Sequence, residues 1–290
     1  MEKMTFGKFW RVSSIRLKIG LIATLFFLIM GFIVPLFPHE NVTLYNTYQK
    51  NLTGFVTDGN GFLHLLGTTG MGQDTFWLLT ECLRNSLQIG LITALIGTVV
   101  GVFVGLFSGF MGGWVDRLLM TVTDTFVVIP SLPVLILMAS LMGSSATAPK
   151  LALILALFAW AWPSRQIRSM ALTMKERDFI HTAQFSGEHP VQIVVTEILP
   201  FVLSWSLSNF MNATLSAIGS ESSLAVLGLS PASLPTLGNM IQWARNRSAI
   251  MLGRWWWILP PIITTMLLFI GLFMLITGYN DYQAMKRGGR

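Results

Sequence analysis

Leu87–Phe110 reads LQIGLITALIGTVVGVFVGLFSGF, twenty-four residues without a charged side chain. Roughly twenty helical residues cross the hydrocarbon of a bilayer at about 1.5 Å of rise each, so this run alone is span-length. Working outward, five more segments read the same way: Ile19–Phe37, Leu118–Met142, Leu151–Met170, Leu199–Gly228 and Trp257–Thr277. A soluble domain does not place such runs one after another. With 53% hydrophobic and 11% charged residues across 290 positions, the expected fold is an all-α integral membrane protein of six transmembrane helices. Its expected organisation is a tail over 1–18, the first span over 19–37, an outer loop over 38–86, a five-helix core over 87–285 and a tail over 286–290. The core contains a polar cytoplasmic loop over 171–200.

The first span runs into Pro38 and His39 without a small-residue cleavage pattern, so it reads as a membrane helix rather than a removed signal. In the fourth, Pro163 is expected to kink the helix, leaving Arg165 and Arg168 to snorkel at its end. The fifth is too long for one straight crossing, and a break is expected near Gly219 and Ser220, with Glu221–Gly228 a short outer segment. Ser204, Ser208, Asn209, Asn212, Ser216 and Glu221 make its polar face the candidate lining of a pathway, although small residues at helical spacing equally suit close helix packing.

Thirteen of the nineteen lysines and arginines fall on one side of this layout: Lys3, Lys8, Arg11, Arg16 and Lys18 in the first tail, Arg117, then Arg165, Arg168, Lys175 and Arg177, and Lys286, Arg287 and Arg290 at the end. The excess puts both termini and the 171–200 loop in the cytoplasm of a multi-pass cell (inner) membrane protein. Trp255–Trp257 then fits an interfacial anchor on the outer side. The basic residues flank apolar spans and form no stripe, so nucleic acid is not an expected partner; the lipid bilayer is.

Cys82 is the single cysteine, and the four histidines His39, His64, His181 and His189 lack helical metal-ligand pairing, so no metal site is expected. Gly7-Lys8 lacks the upstream glycine of a phosphate-binding loop, so ATP is not bound by this chain. GTTGMG at 67–72 sits outside a strand-to-helix context and reads as a shaped turn. No catalytic residues are assigned and no enzyme activity is expected. Two acids lie in apolar spans, Asp124 and Glu221. A proton-coupled secondary carrier would use such residues as a relay near the midplane, and that is the alternative function; both acids lie off the midplane in this layout.

The polar loop carries the most information. KERD at Lys175–Asp178 leads into a short amphipathic helix in which Phe179, Ala183 and Ser186 or Gly187 share one side. Gly187 ends it, Pro190 holds His189 out of the helical region, and Val191–Leu199 returns toward the bilayer before Pro200. A helix, turn and return of this kind fits a groove on another protein.

This run resembles the Glu-Ala-Ala loop of bacterial and archaeal ABC importer permeases. His181-Thr182-Ala183, then Gly187, then Ile198-Leu199-Pro200 follow that family's spacing, and Trp162-Pro163, Arg165, Arg168 and KERDFI are similar to the dipeptide and oligopeptide branch. HLLGTTGMGQD at 64–74, with His64, Gly67, Thr68, Gly72 and Asp74, matches that branch's HPLGTDxxGRD. Glu221, Leu224, Leu227-Gly228-Leu229, Gly238 and Gly278 with Asp281 extend the likeness to residues 10–285, nearest the C-type subunit. The resemblance implies a permease subunit of an ATP-driven importer for peptides or related solutes. It further implies a second homologous permease, two cytoplasmic ATPase subunits that bind ATP and magnesium, and an extracytoplasmic solute-binding protein. Lys175, Glu176, Arg177, Asp178, Phe179, His181, Thr182, Ala183, Gly187, Leu199 and Pro200 would form the ATPase-docking loop. His181 stands where the family has glutamate, Thr182 replaces the first alanine, Gln73 replaces an arginine and Leu237 a tryptophan. The first change exchanges a charged hydrogen bond of about 2 kcal/mol for a neutral one of about 1 kcal/mol.

Overall fold

A computed structural model describes residues 13–37, 43–59, 61–142 and 146–288. Lys3, Gly7-Lys8, Arg11, Pro38-His39 and Arg290 lie outside the described residues. The helices are α1 (Ile15–Leu28), α2 (Thr75–Met111), α3 (Gly113–Val128), α4 (Ser131–Met142), α5 (Ala148–Ala159), α6 (Ala161–Lys175), α7 (Asp178–Phe185), α8 (Pro190–Ile193), α9 (Leu199–Val226), α10 (Leu237–Asn246) and α11 (Trp255–Gly288). The short antiparallel strands β1 (Val56–Thr57) and β2 (Leu63–His64) pair between α1 and α2.

Among the described residues, four helical stretches are long and apolar enough to cross a membrane: 15–36, 75–111, 190–226 and 255–285. The first continues α1 through a π-helical turn and a 3₁₀ turn, and the third joins α8 to α9 through the π-helical turn Val194–Ile198. The remaining two expected spans are interrupted. Leu118–Met142 is a bent pair, α3 and α4, at 79°. Pro130 holds Ile129 extended at ψ 124° and has no N–H to continue the ladder. Leu151–Met170 is divided at Trp160 into α5 and α6, and Pro163 falls in the first turn of α6, where its missing N–H costs nothing.

Two expectations are corrected. The second helix begins at Thr75, twelve residues before the expected span at Leu87, because Asp74 caps it: its Oδ1 accepts from the Trp77 N–H at 3.0 Å. The fifth span is not broken at Gly219, since α9 runs unbroken to Val226. Its polar side chains turn back on their own helix, with Thr214 donating to Phe210 O at 2.9 Å and Ser223 to Gly219 O at 2.8 Å, so they open no gap.

The chain divides into two compact units, one of Met1–Ile89, Met138–Leu151 and Ile218–Arg290, the other of Gly90–Leu137 and Ala152–Ala217. In the first, α1 packs on α11 through small residues. Gly20 lies against the backbone of Leu275, Gly278 against that of Leu17, and Gly271 against Ala23. In the second, Gly97, Gly101, Gly105 and Gly109 form a four-residue repeat down one face of α2. A Cβ on them would collide in turn with Ala159, Pro163, Ser164 with Ile167, and Ala171 with the Arg168 backbone. Small residues let the backbones approach, and dispersion contacts hold helices together in lipid.

Candidate functional site

The 175–200 loop, the candidate docking element, is built on the second unit. Ile180 and Ala183, three residues apart on α7, are buried in a cluster with Val102, Leu106, Ile167 and Ala171. Of the side grouped from the sequence as Phe179, Ala183 and Ser186 or Gly187, Ala183 is buried while Phe179, Ser186 and Gly187 are exposed. Phe179 is partly exposed and stacks on Phe201 at 5.7 Å between ring centroids. The helix ends in a Schellman motif: Gly187 takes φ +78°, its N–H donates to Gln184 O at 3.1 Å, and Glu188 donates to Ala183 O at 3.2 Å. His189 is extended at ψ 139° and its Nδ1 accepts from the Val191 N–H at 3.3 Å, capping the return helix.

The outward face of α7 carries His181, Thr182, Gln184 and Phe185, with Phe185 92% exposed. Glu176, Arg177 and Asp178 are exposed beside it, while the Lys175 ammonium lies 5.7 Å from the Phe110 ring centre. Leu199 packs against the core cluster and Pro200 is exposed. A short rigid helix, anchored by two apolar residues and displaying an aromatic among polar groups, has the form of a docking element.

On α9, Asn212 and Ser216 are exposed and Ser204 and Ser208 half-buried. Asn209 is buried and donates to Thr98 Oγ1 at 3.1 Å, which makes it a packing contact with α2. Glu221, in the first unit, is fully buried. Its Oε1 accepts from Thr236 at 2.7 Å and Ser230 at 3.4 Å, tying down the 228–236 loop. Thr236 also caps α10, accepting from the Asn239 N–H at 3.1 Å. Leu237 is fully buried at the start of that helix, and its N–H donates to Ser86 Oγ at 3.1 Å.

The 64–74 motif forms a packed polar core within the first unit. His64 is fully buried, its Nδ1 is 2.7 Å from Asp74 Oδ2, and its Nε2 lies 3.8 Å from Asp58 Oδ2. Tyr48 and Phe62 pack edge-on against the His64 ring, and burial followed by the Asp74 and Asp58 carboxylates pushes the Tyr48 phenol up. Thr68 accepts from the Leu52 N–H at 2.8 Å and donates to Gln49 O at 2.6 Å. Gly67 and Gly72 take φ +73° and +75° in turns pressed against Leu52 and Tyr48. Gln73, at the family's arginine position, donates to Thr43 O at 2.5 Å. Two of the three tryptophans belong to this core: Trp256 donates to Thr68 O at 3.1 Å and Trp257 is fully buried, while Trp255 is exposed and remains the candidate interfacial anchor.

A family model described as the binding-protein-dependent transport system inner membrane component matches residues 101–285, which take in α7 and the helices on both sides of it. This chain belongs to that family of inner membrane components. It is similar to the oligopeptide transport system permease protein OppC of Mycobacterium tuberculosis (strain ATCC 25618 / H37Rv), 32% identical over 168 residues, 58% of each chain. The match therefore spans a little over half the length of that relative. OppC of Lactococcus lactis subsp. lactis (strain IL1403) is 28% identical over 269 residues, 90% of this chain and 87% of the other. The dipeptide transport system permease protein DppC of Alkalihalophilus pseudofirmus is 26% identical over 282 residues, 94% and 88% of the two.

Two features of this inner membrane component escaped the sequence reading. Arg165 and Arg168 are ion-paired across helices: Arg168 forks onto Asp116, Nε to Oδ1 at 2.5 Å and Nη2 to Oδ2 at 2.6 Å, and Arg165 reaches Asp124 Oδ1 through Nε at 2.9 Å and Nη2 at 2.5 Å. Ser108 also donates to Asp116. These pairs join residues 41 and 52 positions apart, and no local pattern marks them. The glycine repeat on α2 was visible as a four-residue period and was passed over inside an apolar run.

Proposed function

We propose that this chain is a membrane-spanning permease subunit of an ATP-driven importer for peptides or related solutes, and that it forms half of the translocation pathway. Its six crossings are the α1 stretch, α2, the bent α3–α4 pair, α5 with α6, α8 with α9, and α11, with both termini and α7 on the cytoplasmic side. A homologous permease completes the pathway, two cytoplasmic ATPases that hold ATP and magnesium dock on residues 175–190, and an extracytoplasmic binding protein delivers the solute. The observation that carries this reading is α7: Ile180 and Ala183 seat it in the core of the second unit, so a push on its outward face moves that core as a body. The names of the relatives point to peptides. A proton-coupled carrier would need Asp124 available as a relay, and Arg165 engages it.

Reversing charge at Lys175 and Arg177 together is expected to uncouple ATP hydrolysis from uptake while the protein stays in the membrane. Peptide uptake into membrane vesicles, measured beside ATPase activity, is the test. Unchanged uptake overturns the docking assignment.

A further inference from the structure

The two acid–arginine pairs of the second unit differ in how completely they close. In the Asp116–Arg168 pair both carboxylate oxygens are taken, Ser108 adds a third donor, and the side chains are 19% and 33% exposed. In the Asp124–Arg165 pair, both guanidinium donors converge on the single oxygen Oδ1, and the side chains are 53% and 42% exposed. The pair is about eight residues, or two turns, further along α3 than Asp116. Around it α3 exposes the apolar Leu118, Val122 and Val127 together with Thr121 and Thr125, whose hydroxyls donate back to carbonyls of their own helix. Met120, Asp124, Arg165 and Arg168 line an open cleft of about 440 Å³.

Because a charge in hydrocarbon costs at least a few kcal/mol, a half-exposed ion pair is covered by water, a polar solute or a polar face of the second permease rather than by lipid. The open cleft beside it leaves room for a solute. The cleft is within the range of small-molecule sites and presents adjacent positive and negative groups, with Met120 supplying an adaptable apolar wall. That is the complement of a zwitterion.

We propose that Asp124 and Arg165 line the solute path and form its recognition point for the charged termini of a short peptide, Arg165 toward a carboxylate and the second oxygen of Asp124 toward an ammonium. This rests on the importer reading above. Asp116–Arg168, with every acceptor engaged, is the fixed strut that holds α6 in register beside it.

The test uses vesicles of membranes carrying the complete transporter, with Asp124→Cys, Arg165→Cys and Met120→Cys introduced singly. Cys82 is fully buried, so the background is silent toward water-soluble thiol reagents. Ile263→Cys, on an exposed apolar position of α11, is the lipid-facing control. Anionic and cationic methanethiosulfonates are expected to modify all three cleft cysteines and to leave the control unmodified. At Asp124→Cys the anionic reagent should react about fivefold faster, drawn by the freed Arg165, and at Arg165→Cys the cationic one should, by the same margin. A transported tripeptide should slow all three. Met120→Cys keeps the ion pair, so it reports on the cleft even if either charge variant fails to assemble. Cleft cysteines that react no faster than the control, or that peptide does not protect, overturn the assignment while leaving import intact. Unmodified vesicles that accumulate no peptide overturn the importer reading itself, and this proposal with it.

Discussion

At Gly187 a backbone angle decides how α7 ends. Its φ of +78° puts a side chain in the left-handed region, although nothing lies within 4 Å of where a Cβ would stand. Gly187→Ala is therefore expected to cost about 1–2 kcal/mol through conformation alone and to fray the last turn of α7. The measurable outcome is a lower ratio of uptake to ATP hydrolysis with the same amount of protein in the membrane. His64 makes the opposite case, since contact matters there and backbone does not. Removing the ring in His64→Ala strands the buried Asp74 Oδ2, at a cost of about 1–3 kcal/mol. The 56–64 hairpin should then open, and limited proteolysis should cut there faster than in the unmodified protein.

At the scale of elements, the glycine repeat on α2 is the most demanding joint. Gly105 meets the Ser164 carbonyl and the Ile167 side chain closely enough that no larger residue fits without separating the helices. Gly105→Leu is expected to abolish the α2–α6 contact and the yield of monodisperse protein in mild detergent. A leucine at Gly219, whose nearest neighbour is the movable Phe269 ring at 3.6 Å, should be tolerated far better. If the two behave alike, close helix approach is not what the repeat provides. The break between α3 and α4 belongs to this scale as well, as Pro130 and the extended Ile129 set it with residues adjacent in sequence.

For the molecule as a whole, the excess of lysine and arginine predicts which parts face the cytoplasm. Phe185→Cys should be labelled by an impermeant thiol reagent only from the cytoplasmic side, and Tyr45→Cys, exposed in the loop before β1, only from the outside. Labelling of both from one side would refute the proposed orientation. The apolar runs, the proline positions and the helix–glycine–return pattern of 178–200 were legible because each rests on residues near one another in the chain. Bilayer transfer, φ restriction and helix capping are local costs.

By itself the sequence determined that this is an apolar, multi-helix membrane chain with a short polar-loop helix ending at Gly187, and the order of its motifs pointed to its family. The tertiary structure decided what the charges do. Arg165 and Arg168 found Asp124 and Asp116 across helices, Glu221 became the buried anchor of a loop, and His64 closed onto Asp74. A charge in a low-dielectric interior is stable only with its partner in place, and partners 41 or 52 residues away are brought together by helix packing, which no local pattern records.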